Sequence, residues 1–294
     1  MKRGIALGLA LLVAVTAGIL AFTSPPRLLS WYDRAAGGTA GAQQVAQGLA
    51  FGTHGQTLDI WAPANPPQGK LPVVVFWYGG GWAKGDRASY AFAGRALARE
   101  GFLVVIPDYR KVPDVHFPAF VEDGAEALAW VHDNVAKHGG DPDRIGVMGH
   151  SAGAYQAVML ALDAKCLRAA GLDPSLIKAG VGLSGPYDFY PFDKPRSIAA
   201  MGQWPRPLET QPITNARKDA PPLLLVTSEG DETVRPKNAN NLAAKLRGLG
   251  APVEVKNYGP LDHEEVVMAL SVPFRGKGPV LADSVAFLKA QLGD

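Results

Sequence analysis

Seven short apolar runs, most rich in β-branched residues, recur along the chain: TLDIW (57–61), VVVFW (73–77), LVVI (103–106), RIGVM (144–148), AGVGL (179–183), LLLVT (223–227) and VEVKNY (253–258). Several are apolar at nearly every position rather than at every second one, the pattern of strands covered on both faces. Segments with helical spacing fall between them, beginning near Ser89, Pro118, Ser151, Asn238 and Pro279, the last ending at Gly293. Strands alternating with helices predict an α/β fold, a mostly parallel central sheet with helices on both faces. Binding groups in such sheets collect at the carboxyl ends of the strands.

The first 48 residues break this rhythm. From Gly4 to Phe22 no side chain is charged, and Lys2 and Arg3 precede the run. That stretch exceeds the roughly 7 to 15 residues of a cleaved signal peptide's apolar region and approaches the ~20 that cross hydrocarbon. Residues 1–24 are therefore expected to be a signal anchor, with cleavage as a signal peptide and secretion as the alternative. Lys2 and Arg3 on the cytoplasmic side would place the remainder in the periplasm or outside the cell, tied to the membrane. Residues 35–48, AAGGTAGAQQVAQG, are small, polar and aperiodic, so 25–48 reads as a linker and the folded domain as 49–294. A chain starting near Leu49 is then expected to fold alone. No composition break or internal repeat divides 49–294, so its 47% hydrophobic overall composition is assigned to a single core.

Charge narrows the function classes. Lys2 and Arg3 account for the whole formal charge of +2, the other bases matching the 27 acids, which is no footprint for nucleic acid. The one cysteine, Cys166, excludes an internal disulfide, and its setting LDAKCLRAA reads as helix packing.

The chemistry centres on GHSAG, residues 149–153, between the run RIGVM and a helical segment. Glycines at 149 and 153 permit a sharp strand-to-helix turn that exposes Ser151, and the helix start favours developing negative charge. A plain Gly-Ser turn is the bland alternative. A serine hydroxyl needs a base to become a nucleophile. Of six histidines, only His263 follows a late strand, in the loop YGPLDHEEV before the final helix, whereas His150 beside the serine reads as structural. Asp231 stands just beyond LLLVT, giving the order Ser, Asp, His. Glu229, Glu232, Asp262 and Glu264 are rival acids. Of these, Glu232 is expected to face away, and Asp262 and Glu264 to be solvated. The glycine run in VVVFWYGGGW supplies the backbone N–H groups of Gly80 and Gly81, and Ala152 a third, as donors to an oxyanion.

Two other chemistries fail on spacing. A dinucleotide GxGxxG starting at Gly79 would need glycine where Lys84 stands, and HEEVV has Val267 where a zinc HExxH needs its second histidine. No cofactor and no metal are expected.

Together YGGGWAKGD (78–86), PDYRKVPD (107–114), DPDRIGVMGHSAG (141–153), GLSGPYD (182–188), SEGDETV (228–234) and His263 resemble the α/β-hydrolase carboxylesterases of the hormone-sensitive-lipase-like and bacterial feruloyl-esterase-like groups, over roughly residues 50–294. The resemblance implies an α/β-hydrolase fold with Ser151 as nucleophile, His263 as base, Asp231 as its orienting acid and Gly80, Gly81 and Ala152 as the oxyanion hole. It implies a serine esterase for a small-molecule substrate, a short to medium acyl or aryl ester. An amidase or formamidase, or a catalytically silent fold used for binding, are the alternatives. One departure stands out: Tyr78 occupies the first position of the family's usual HGGG. Asp108, Tyr109 and Arg110 are read as structural, tying loops together. The proline- and aromatic-rich segment 184–222 reads as a lid or an insertion, with Phe189, Tyr190, Phe192 and Trp204 either lining an acyl pocket or packing the loop down.

Overall fold

The computed structural model describes residues 23–293. The expected signal anchor lies almost wholly outside that range, and among the described residues no helix is long and apolar enough to cross a membrane. All seven expected strands are present: β2 (Gln56–Pro63), β3 (Leu71–Trp77), β4 (Leu103–Pro107), β5 (Gly140–His150), β6 (Ile177–Leu183), β7 (Leu223–Thr227) and β8 (Val253–Asn257). With β1 (Ala42–Phe51) they form one sheet in the order β1-β2-β4-β3-β5-β6-β7-β8. β2 pairs antiparallel with β1 and β4, and every other pairing is parallel.

Double-sided burial explains the central strands. Val73, Val74, Val75, Phe76 and Trp77 of β3 are all inaccessible to solvent, as side chains alternating between two helix layers must be. One layer holds α2 (Ala91–Arg99) and α9 (Val280–Leu292); the other holds α3 (Ala119–Asn134), α4 (Ala152–Leu162) and α7 (Lys237–Leu249). The strand order reverses at β3, which lies between β4 and β5, so the turns leaving β3 and β5 face one crevice.

The expected linker is folded. Pro25 and Pro26 open helix α1 (Pro25–Asp33), where a missing N–H costs nothing. Its last residue, Asp33, is wholly buried, and one carboxylate oxygen accepts from Arg95 of α2 at 2.7 and 3.0 Å while the other accepts from the Val272 N–H at 2.8 Å. Gly37, with φ of 90°, lets the chain turn back into β1, whose residues pair with β2 from Ala42 opposite Pro63 to Phe51 opposite Gln56. Composition hides β1 because it is an edge strand: Gln43, Gln44 and Val45 are exposed, and backbone pairing rather than side-chain burial holds them.

Segment 184–222 is ordered as well, with α6 (Pro195–Met201) and short 3-10 turns at Pro207–Thr210 and Pro212–Asn215. Phe189 stacks on Trp82 and packs against Phe192, while Trp204 meets Phe117 edge-on. Cys166, on α5 (Ala164–Ala169), is half-buried, and burial pushes its thiol up to about 12.

The ion pair between Asp33 and Arg95 yields the first prediction. Asp33→Ala strands a buried guanidinium and should lower unfolding stability by about 3–5 kcal/mol, measured by urea denaturation. A chain beginning at Leu49, which lacks α1 and most of β1, should be less stable still, contrary to the expectation from composition. Unchanged denaturation midpoints for both would show that α1 contributes nothing to the domain.

Candidate active site

Ser151 stands between β5 and α4 with φ of 54° and ψ of −120°, a left-handed conformation that costs a non-glycine residue about 1–3 kcal/mol. The turn is possible because its neighbours lack side chains. A Cβ on Gly149 would lie 2.3 Å from the Gly153 carbonyl oxygen, and one on Gly153 would lie 2.0 Å from that of Trp77. Hydrogen bonds clamp the turn on both sides, from the Ser151 N–H to Leu183 O at 2.9 Å and from the Tyr155 N–H to Ser151 O at 3.0 Å.

His263 Nε2 lies 2.8 Å from Ser151 Oγ, and His263 Nδ1 lies 2.8 Å from Asp231 Oδ2. All three residues are buried. Asp231 uses its other oxygen to accept from the N–H groups of Val234, at 2.7 Å, and Thr233, at 3.0 Å. Burial works against its negative charge, but the bond and charge of His263 and the Val234 N–H outweigh it and hold the carboxyl below its ordinary range. An ionised Asp231 requires the proton of His263 to sit on Nδ1, leaving Nε2 free to accept from the serine.

His263 is not in a loop, as its sequence suggests, but is the first residue of a short helix, α8 (His263–Met268). Asp262, though exposed, is more than a solvated neighbour: it caps that helix, accepting from the Glu265 N–H at 2.7 Å while Glu265 accepts from the Asp262 N–H at 3.1 Å. Glu264 and Glu232 are exposed. Glu229 accepts from Asn257 at 2.6 Å.

On the opposite side of Ser151 the turn after β3 carries Gly80 and Gly81, with φ of 134° and 60°. A side chain at Gly80 would strike the Lys84 carbonyl oxygen at 2.2 Å, so this turn too depends on bare backbone. The Ala152 N–H, first in α4, has no acceptor within its helix. Tyr78 is directed away from the serine. Its hydroxyl donates to Asp108 at 2.8 Å and accepts from Lys111 at 2.9 Å, and its ring stacks on Tyr109. Asp108 also binds Arg87, and Arg110 binds buried Asp123, so this segment ties loops together as expected.

Two positioning groups lie outside the relay: Ser228, which had no sequence signal beyond its residue type, and His150, whose place beside Ser151 reads as structural. The Ser228 hydroxyl lies 2.6 Å from Gly259 O and 2.5 Å from Leu261 O, joining the loops after β7 and β8 that carry Asp231 and His263. His150 Nε2 lies 3.0 Å from the His263 carbonyl oxygen and must therefore carry a proton, which leaves Nδ1 to accept from the Tyr90 hydroxyl at 3.3 Å. Burial, reinforced by neighbouring His263, moves the pKa of His150 from 6.5 to about 3.

Two cavities meet at Ser151. The first, about 530 Å³, is mainly apolar and runs beneath α1, lined among others by Leu29, Tyr32, Phe92, Met268 and Phe274. The second, about 480 Å³, is polar and lies below α6, with Phe189 and Tyr190 in its wall. Neither Phe192 nor Trp204 lines either one.

The buried imidazole of His150 predicts a pH signature. Between pH 6.5 and about 3 the unfolded chain protonates this histidine while the folded chain does not, so stability falls as pH falls through that window. Relative to His150→Gln, which keeps a donor but cannot titrate, the native protein should lose up to about 1.4 kcal/mol more per pH unit. Denaturation curves measured across this range check it, and parallel pH profiles for the two proteins would contradict it.

Isoprenylcysteine α-carbonyl methylesterase of Arabidopsis thaliana is 28% identical over 277 residues, covering 86% of this chain and 64% of the relative. The esterase LipC of Mycobacterium tuberculosis is 30% identical over 214 residues, covering 66% of this chain and 53% of the relative, so this chain spans less than two thirds of either relative's length. The crystal structure of EstE1, a thermostable carboxylesterase cloned from a metagenomic library, superposes with a TM-score of 0.74 at 23% identity, covering 92% of this chain and 99% of that one. Likeness of that degree establishes the α/β-hydrolase fold. Residues 58–246, more than half the chain, match the family model BD-FAE, and the chain belongs to that family.

Proposed function

We propose that this protein is a serine ester hydrolase, and one observation carries the reading: a Ser151–His263–Asp231 relay with both links at 2.8 Å, beside the open N–H groups of a glycine turn. Ser151 Oγ attacks the ester carbonyl as His263 Nε2 takes its proton. Asp231 stabilises the imidazolium and keeps its ring oriented. Negative charge on the carbonyl oxygen is met by the N–H groups of Gly80, Gly81 and Ala152. His263 then protonates the leaving alcohol, and a water molecule activated by the same imidazole releases the acid from Ser151. His150 and Ser228 touch no reacting atom; they hold the backbone from which His263 acts.

The esterase names of the relatives and neighbours support ester cleavage, and the apolar cavity supports an ester with a short to medium acyl or aryl substituent. The name of the Arabidopsis relative describes an ester beside an isoprenyl group, a bulky apolar substituent of the kind this cavity would shelter. Residues 1–24 would hold the domain at the outer face of a cytoplasmic membrane. In support, Pro25 and Pro26, which follow directly, line the apolar cavity, so anchoring would set its mouth beside the bilayer.

Kinetics on p-nitrophenyl esters test the mechanism. Ser151→Ala should fold normally and lose turnover, and Asp231→Asn should lower kcat by roughly 10³- to 10⁴-fold with little change in KM. Glu229→Gln and Tyr78→Phe should stay within a few-fold, because neither side chain reaches the relay. Substantial turnover by Ser151→Ala would remove the serine from the mechanism. For the anchor, the full-length protein should sediment with membranes; recovery of a soluble form lacking residues 1–23 would refute it.

A further inference from the structure

The second cavity differs from the first in charge. Lys194, Arg196, Arg235 and Lys237 line it, set against Asp193 and Glu232. All six side chains are exposed, and among the described residues no ion pair joins any of them to a partner. Four cations against two anions thus surround a cavity that ends at Ser151, in a chain whose charges otherwise nearly balance.

Of the four cations, Arg196 is the one shared by the two cavities. Carried on α6, it lines both cavities and lies across the glycine turn: a side chain begun at Gly81 would come 3.1 Å from its Cδ and 3.7 Å from a guanidinium nitrogen. Ser151 is thus flanked by an apolar compartment on one side and a cationic one on the other, with Arg196 at their boundary. An ester carrying only apolar groups leaves the cationic compartment unused. One that bears an anionic group on the far side of its carbonyl fills both, and its charge meets a focused positive field.

We propose that the second cavity is an anion-binding subsite, and that the preferred substrates are amphiphilic esters with an apolar chain and an anionic group on opposite sides of the scissile carbonyl. The anion is a carboxylate, sulfonate or phosphate held by Arg196 with Arg235 and the neighbouring lysines. Hydrolysis follows the usual balance, ester plus water giving acid plus alcohol. The inference rests on the ester-hydrolase reading for turnover, but not for binding.

Binding to Ser151→Ala, measured by calorimetry at low salt, tests the subsite without turnover. Two matched pairs place the charge on either side of the carbonyl: hexyl hydrogen succinate against neutral hexyl levulinate, and hexanoyl isethionate against hexanoylcholine. In at least one pair the anion should bind about tenfold more tightly. Adding Arg196→Gln or, independently, Arg235→Gln to the Ser151→Ala background should shrink that preference, as should raising ionic strength to about 1 M, where the screening length is ~3 Å. Equal affinities within both pairs, or a preference unmoved by either substitution and by salt, would overturn the subsite. Failure of the native protein to hydrolyse any of the four esters, with the binding preference intact, would instead overturn the hydrolase reading and leave the subsite standing.

Discussion

A side chain on residue 153 would begin 2.0 Å from the carbonyl oxygen of Trp77, closer than any two such atoms can lie. That approach, of the turn after β5 to the end of β3, sets the geometry of the whole site. It brings the Ser151 hydroxyl and the Gly80 and Gly81 N–H groups into one crevice, and it fixes Ser151 at φ of 54°. The strain is offset by the surrounding sheet, whose central strands are buried on both faces and so hold both turns rigidly.

The other half of the site comes from two neighbouring loops, joined in part by the bond from the Gly230 N–H to Gly259 O at 3.2 Å. Asp231 leaves β7 and His263 leaves β8, and a single hydroxyl, that of Ser228, lies within 2.6 Å of two carbonyls of the second loop. His150 then joins this half to the first by its bond to the His263 carbonyl. Kept neutral by burial, it contributes a fixed donor rather than a charge that would compete with an imidazolium at His263. His150 thereby holds His263 through its backbone, while Asp231 holds it through its ring.

What was legible in the sequence was whatever left a local mark. β3, β6 and β7 show as unbroken apolar runs because both of their faces are covered. Ser151, Asp231 and His263 show because each follows a strand, the first between glycines that the turn requires. Hidden were the features made by contacts distant along the chain. Asp33 pairs with Arg95 across 62 residues, and this pair turns an apparent linker into a helix roofing the apolar cavity. β1 is an exposed edge strand whose order lies in backbone bonds. The roles of His150 and Ser228 consist of bonds to carbonyls, which no side-chain pattern records, and the charge of the second cavity is assembled from residues 193–196 and 232–237, distant along the chain.

The central claim is that Ser151 is the atom-bearing nucleophile of a preorganised relay, and its acylation can be observed directly. The protein mixed with a p-nitrophenyl ester, quenched in acid during turnover and digested, should yield a peptide containing Ser151 heavier by one acyl group, and Asp231→Asn should accumulate this adduct far more slowly. Acyl groups on another residue, or turnover with no adduct on Ser151 even when deacylation is slowed by a bulky acyl chain, would contradict it.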